Sequence, residues 1–295
     1  MADEERLAVR KTYKLFIGGK FPRTESGRSY LVREGKGGKP LANACRASRK
    51  DVRDAVAAAR AAVPTWAGMT AYNRGQILYR IAELLEGRRE QFADEVSRSE
   101  GRSRKAAGEA VDKAIDRWVW YAGWADKLAQ VFGSSNPVAG PYFNFSVPEP
   151  TGVVGVVAPQ DSALLGLVSR LAPVIVGGNT AVVLAAEQRP LPAITLAEVL
   201  ATSDLPGGVV NLLTGFTAEL IGPLAAHMDV NALDLAGLDL AHYRDAELAA
   251  AESVKRVVPP VSLPAKAWLD DEQGQDPYWI AAFLETKTVW HPIGV

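Results

Sequence analysis

From Thr151 onward the chain alternates short β-branched runs with stretches of helical period, and this alternation limits the possible folds more than any other feature. Strand-like runs fall at 152–157, 181–184, 209–213, 232–235 and 255–258, with helical patterns at 162–176, 192–202, 217–226 and 242–253. Strands joined through helices by short connections build a parallel sheet covered on both faces. The expected fold class is therefore α/β, a Rossmann-like doubly wound parallel sheet. No G-x-G-x-x-G fingerprint accompanies it, so motif alone does not announce a dinucleotide.

The first 150 residues read differently. Gly18-Gly19 between apolar flanks predicts a β-hairpin over Phe16 to Phe21. Ser48 with Asp51 three residues on is a capping-box start. Behind it Val52, Ala55, Val56, Ala59, Ala62 and Val63 keep helical spacing until Pro64, which is expected to end the run. Ile77, Leu78, Ile81, Leu84 and Leu85 mark a second helix, and a third spans about 105–128. That third helix carries Trp118, Trp120, Tyr121 and Trp124, read as packing between layers rather than as a substrate funnel. After Val258 the prolines at 259, 260 and 264 and the acidic run from Asp270 to Asp276 predict a linker over 259–277. A strand follows at Glu285 to Trp290.

Composition narrows the function classes. A formal net charge of −1 gives no electrostatic reason for nucleic acid. The most apolar stretch, Ala163 to Val176, is interrupted by Arg170 and is too short to span a bilayer. The charged start lacks the apolar core of a signal peptide, so the expected location is cytoplasmic. One cysteine, Cys45, allows no internal disulfide. His227, His242 and His291 are scattered, and no zinc, EF-hand, P-loop or G-x-S-x-G pattern occurs; no metal site and no catalytic residue is assigned.

The segment from Gly152 to Gly215 resembles the cofactor-binding half of the aldehyde dehydrogenase family. The resemblance extends from about Lys14 to Gly237 and resumes at Lys287-Thr288-Val289-Trp290, similar to the family's closing K-T-V-W strand. The chain looks like a shortened member, with some forty residues where the family places its thiol-bearing catalytic domain. The implied architecture is a cofactor-domain scaffold over 1–258 with N-terminal helices. A β-arm at about 137–150 and a C-terminal strand in 278–295 would form the family's oligomerisation flap.

Site by site, the resemblance implies a degraded centre. The family's P-W-N asparagine, an oxyanion donor, is replaced by Asp161 in Pro159-Gln160-Asp161. Asp161 or Ser162 is expected to cap the next helix instead. In V-L-K-P-x-E the ribose lysine becomes Ala185, while the glutamate survives as Glu187. The glycine-rich stretch keeps Gly215 but carries Thr217 and Ile221 where the family has glycine. F-T-G-S becomes Leu235-Ala236-Gly237-Leu238, without the phosphate-binding hydroxyl. Glu187, Gly215 and Gly237 are the vestigial cofactor-binding positions. The general-base glutamate would fall near Pro259-Pro260, and the thiolate that attacks the aldehyde has no counterpart.

These losses imply a pseudoenzyme: an inactive subunit with no bound cofactor, joined in a hetero-oligomer to a full-length catalytic aldehyde dehydrogenase. The competing enzyme reading is a divergent NAD(P)-dependent aldehyde oxidoreductase with a site completed between subunits. A third is a module binding another small ligand in the degenerate cleft.

Overall fold

The computed structural model describes residues 9–35, 37–261 and 263–294. Thr12–Tyr13 (β1), Ser29–Arg33 (β2) and Pro40–Cys45 (β3) form a small sheet in the order β1-β3-β2. The expected Gly-Gly turn is present: Ile17 and Lys20 exchange backbone hydrogen bonds of 2.9 and 3.0 Å. Gly18 and Gly19 have φ of +59° and +77°, as a two-residue primed turn demands. Phe16 then bridges to Leu212 and docks this turn on the main sheet.

Arg49–Ala67 (α1) opens on the capping box, with Ser48 Oγ accepting from the Lys50 and Asp51 amides and Asp51 accepting from the Ser48 amide. Pro64 does not end it. The helix runs through to Ala67 because Trp66, fully buried, donates its Nε1 hydrogen to the Ile175 carbonyl at 2.8 Å. That anchor outweighs the single amide a proline removes. Ala71–Glu86 (α2) matches the second helical pattern. Arg89–Glu100 (α3) was not expected; its buried residues Phe92, Ala93, Val96 and Ser99 sit among charged neighbours that hide the period. Arg104–Ala122 (α4) is shorter than the expected 105–128 helix and ends at Gly123, with a separate short helix at Leu128–Phe132 (α5). Trp118 and Tyr121 are wholly buried, so the aromatic group packs the helix layer.

Ser134–Asn136 (β4) and Tyr142–Pro150 (β5) leave the helical layer as an antiparallel pair. The β-arm expected at 137–150 thus begins its strand only at Tyr142. The alternating region follows as Val153–Val157 (β6), Leu165–Val176 (α6), Thr180–Leu184 (β7), Leu191–Leu200 (α7) and Val210–Leu213 (β8). It continues as Thr217–Ala225 (α8), Ala232–Asp234 (β9), Leu240–Ala251 (α9) and Arg256–Val258 (β10). These five strands are all parallel, in the order β10-β9-β6-β7-β8. The chain steps outward from β6 to β8, then returns to the other side of β6, so the winding reverses between β6 and β9. This is the doubly wound α/β arrangement expected from the pattern. Helices α6 and α7 cover one face, backed by α2, α3 and α4, while α1 and α8 cover the other. Every residue of α6 is buried, which accounts for its nearly unbroken apolar run.

The stretch expected as a linker is packed. A helical turn at Ala267–Leu269 leads into Asp271–Gly274 (α10) and Pro277–Ala281 (α11). Trp268, Ile280 and Phe283 enter the main core, and Arg117 of α4, itself buried, donates to the Trp268 carbonyl at 3.2 Å. Leu284–Pro292 (β11) then pairs antiparallel with β5 over its whole length, giving a sheet ordered β11-β5-β4. The β-arm and the C-terminal strand, expected to form the flap together, thus lie in one sheet in which β11 is an edge. The β5 ladder is already tethered to it, so pairing there carries no entropy of association.

Candidate cofactor cleft

In an open α/β sheet, ligands enter at the carboxyl ends of the strands beside the point where the winding reverses. Here that place is ringed by the loops after β6, β7, β8 and β9. After β6, neither Asp161 nor Ser162 is the N-cap of α6, which is Leu164 without a side-chain cap bond; Ser162 Oγ accepts the Gly166 amide at 3.0 Å from two residues upstream, and the Asp161 carbonyl accepts from Arg102 at 3.4 Å. Gln160 bridges two loops, its Nε2 donating to the Ala158 carbonyl and its Oε1 accepting the Glu187 amide, each at 2.8 Å.

After β7, Ala185 and Ala186 are buried. Glu187 is half-buried. Its Oε2 accepts the Thr217 amide at the start of α8 at 3.1 Å, and its carbonyl accepts from the Tyr30 hydroxyl at 3.0 Å. Burial, with Glu187 nearby, pushes the Tyr30 hydroxyl up from its ordinary value. After β8, Gly215 adopts φ +151° and passes close to Ala47, whose amide would stand 3.1 Å from an added Cβ. Phe216 lies between the Tyr30 ring at 5.4 Å and the Arg46 guanidinium at 4.6 Å, and Arg46 is ion-paired with Glu219. After β9, the Gly237 amide donates to the Val157 carbonyl at 3.0 Å, and Leu238 is buried.

The structure therefore brings Glu187 and Gly215 to the same helix start, and Gln160 links them to the β6 end on which Gly237 rests. Tyr30, Arg46, Gln160 and Phe216 were not singled out from sequence. Gln160 sits beside Asp161, which was, but nothing local marks Tyr30, which meets Glu187 across 157 positions. Cys45 is buried beneath the loop after β8, where its carbonyl accepts from Thr214 Oγ1 at 2.5 Å. Among the described residues no group of three or more His, Cys, Asp or Glu side chains is placed to hold a metal, and no helix is long and apolar enough to cross a membrane. An open recess of about 850 Å³ lies elsewhere, between the start of α1 and the end of α8, with Arg49, Arg53, Pro223 and His227 in its walls.

Glu100, at the end of α3, reaches over to accept the Ala163 amide at 2.8 Å and pairs with Arg102 at 2.8 Å. Burial pushes its carboxyl above the ordinary value of 4.5, with Arg102 opposing. A carboxyl raised by folding contributes its full share of stability below its unfolded value and loses it as pH climbs through the folded one. Relative to the parent, a Glu100→Gln variant is expected to gain melting temperature as pH rises from 4.5 toward neutrality. A difference between the two proteins that stays constant over that range in thermal melts would contradict the assignment.

Comparison with known proteins places this geometry. A model of the aldehyde dehydrogenase family matches residues 22–260. Retinal dehydrogenase 2 of Gallus gallus is 34% identical over 255 residues, covering 85% of this chain and 48% of that protein. The putative aldehyde dehydrogenase DhaS of Bacillus subtilis (strain 168) is 32% identical, over 83% of this chain and 50% of its own. The crystal structure of HpcC from Thermus thermophilus superposes with a TM-score of 0.80 at 31% identity, over 85% of this chain and 48% of that one. The NAD+ complex of an aldehyde dehydrogenase from Bacillus cereus gives 0.78 at 28% identity, over 84% and 50%. The chain spans about half the length of the curated relatives it matches.

Proposed function

The chain belongs to the aldehyde dehydrogenase family, and we propose that it is a catalytically inactive member that assembles with a full-length, active aldehyde dehydrogenase as a structural or regulatory subunit. The observation that carries this reading is Cys45. It is the only thiol in the 295 residues, and it is buried under the loop after β8 rather than open to the cleft. A nucleophilic thiolate has to reach a carbonyl carbon, and a buried thiol in apolar surroundings does not. The residues between β10 and β11 form two short helices and a turn against the core and hold no cysteine.

The dinucleotide that the family implies does not fit the residues present. Counted back from Glu187, the lysine position of V-L-K-P-x-E is Leu184 rather than Ala185; neither it nor Leu238 offers an amine or a hydroxyl, and the Glu187 carboxylate is already bonded to the Thr217 amide. The three-stranded sheet supports the assembly half of the reading. Strands β4 and β11 are its edges, and Tyr142, Phe143 and Trp290 remain exposed on it. Open edges beside exposed aromatic side chains are a hazard unless another chain covers them. A cytosolic location belongs to the same reading; one relative is named aldehyde dehydrogenase, cytosolic 1, of Elephantulus edwardii.

The alternative, a divergent NAD(P)-dependent oxidoreductase completed between subunits, draws on the retention of Glu187 and Gly215 at one helix start. Aldehyde oxidation by the purified chain separates the two. No turnover is expected, and turnover that survives Cys45→Ser would defeat the inactive-subunit reading. For assembly, deletion of residues 285–295 removes the largely exposed part of β11 while keeping Ile280 and Phe283 in the core. Co-purification with a full-length aldehyde dehydrogenase from the native extract is expected for the intact chain and lost in the deletion. A shortened chain that still co-elutes would rule out β11 as the contact, and an intact one that runs as a monomer in that extract would rule assembly out.

A further inference from the structure

The open recess of about 850 Å³ between α1 and α8 takes no part in the cleft at the strand ends. The two helices cover the same face of the parallel sheet and lie side by side there. Val52 of α1 lines the gap with Gly222 and Pro223 of α8 and Ala226 just past its end, and an added Cβ at Gly222 meets nothing within 4 Å. Side chains this short leave the groove unfilled, and none of them carries a polar atom. None of these positions is among those that the family resemblance assigns to the cofactor.

The rim of the recess is cationic. Arg49, Lys50 and Arg53 stand on the first two turns of α1, and His227 follows the end of α8. Glu25 is the one acid in the walls, and it is committed: it pairs with Lys50 at 3.3 Å and accepts from Ser48 Oγ at 3.3 Å. Arg53 gives Nε and one terminal nitrogen to Asp54, which keeps its other terminal nitrogen spare. Among the described residues no acid lies within ion-pairing distance of Arg49. His227 Nδ1 accepts the Asp229 amide at 3.2 Å, so Nε2 carries the hydrogen. Ser48 Oγ already accepts the Lys50 and Asp51 amides as the cap of α1, so the positive charge here comes from side chains rather than from the helix start.

What remains is a set of spare donors with no spare acceptor, above an apolar floor. We propose that this recess binds a small organic carboxylate. Arg49 holds the acid group, with His227 and Arg53 beside it, and an alkyl or aryl body lies on Val52, Pro223 and Ala226. A guanidinium matches a carboxylate through two parallel hydrogen bonds, and one unpaired guanidinium balances one negative charge. Burial of the body adds affinity that a bare anion lacks, while a neutral amide of the same shape lacks the ionic contact. The inference rests on neither the assembly reading nor the cofactor cleft, and its failure leaves both standing.

The test is calorimetric titration of the full chain with octanoate, octanamide and acetate at physiological ionic strength. Octanoate is expected to bind saturably with a Kd below about 1 mM, and octanamide and acetate at least about tenfold more weakly. Shortening octanoate to hexanoate should weaken binding by about tenfold, since each buried methylene is worth roughly fourfold. Arg49 is exposed, so Arg49→Gln keeps the fold, and it is expected to weaken octanoate by about tenfold or more. Arg244→Gln removes the same charge from exposed α9 and should stay within about twofold of the parent, because distant charges are screened. Gly222→Leu places a side chain in the recess and should weaken octanoate by about tenfold or more without touching a charge. No saturable octanoate binding in that range overturns the proposal, as does octanamide or acetate binding equally well. An Arg49→Gln loss no larger than that of Arg244→Gln, or a Gly222→Leu protein that binds as the parent does, overturns it too.

Discussion

Asp234→Ala is expected to lower the unfolding free energy by about 3–5 kcal/mol, because it leaves a buried arginine without its counter-ion. Arg170 Nε lies 2.7 Å from Asp234 Oδ2, with side chains 2% and 0% exposed. The other carboxylate oxygen accepts the Ala236 amide at 3.1 Å, and the Arg170 guanidinium sits 4.4 Å over the Trp279 ring. With the carboxylate gone, neither water nor another acid replaces it in the contacts described. Removing both charges together should hurt much less. An Arg170→Met, Asp234→Leu double variant deletes the unpaired charge and keeps volume in the core, leaving chiefly the Ala236 amide unsatisfied, a loss of about 1–3 kcal/mol. Urea denaturation with unchanged slope would read both values directly. A single variant within about 1 kcal/mol of the parent, or a double variant worse than the single, would show that the pair is not the fastening described.

The same pair shows what was legible in the sequence and what was not. Arg170 stood out as the one charge in an apolar stretch, which was enough to set aside a membrane span. Its partner lies 64 positions away on β9, and no local pattern connects them. The parallel sheet could be read because its signal is local: β6, β7 and β8 are buried at every position, and so are apolar almost throughout, with Thr180 and Asn211 the only polar side chains in them. Short helices were lost for the opposite reason. In α10 and α11 the buried set is only Gly274 and Ile280, too few to show a period, so proline and acid content dominated and the stretch looked like a linker. Pro64 was misjudged where a distant contact overrides a local rule: the Ile175 carbonyl holds the helix past the proline. The loss of the hydroxyl at Leu238 needed only alignment of motifs, whereas the bond from the Thr217 amide to Glu187 needed coordinates.

Gly237→Ala is expected to be as damaging as the loss of Asp234, at about 3 kcal/mol or more, for a purely steric reason. A Cβ at this position would stand 1.9 Å from the Ala158 carbonyl oxygen and 2.8 Å from the Pro159 nitrogen. Both are backbone atoms, so no rotamer change relieves the overlap. The loop after β9 has to lift off β6, which breaks the hydrogen bond from the Gly237 amide to Val157 and drags Leu238 out of its buried position. Because Asp239 follows directly, the start of α9 moves as well. Gly222 supplies the control: it lies inside α8, on the recess beside α1, and an added Cβ meets nothing within 4 Å. Gly222→Ala should therefore raise stability by about 0.5–1 kcal/mol through helix propensity and reduced freedom of the unfolded chain. Chemical denaturation of the two variants gives opposite signs if the loops after β6 and β9 are in close contact. A Gly237→Ala protein within about 1 kcal/mol of the parent would mean that the two loops stand apart, leaving room at the reversal point for a ligand.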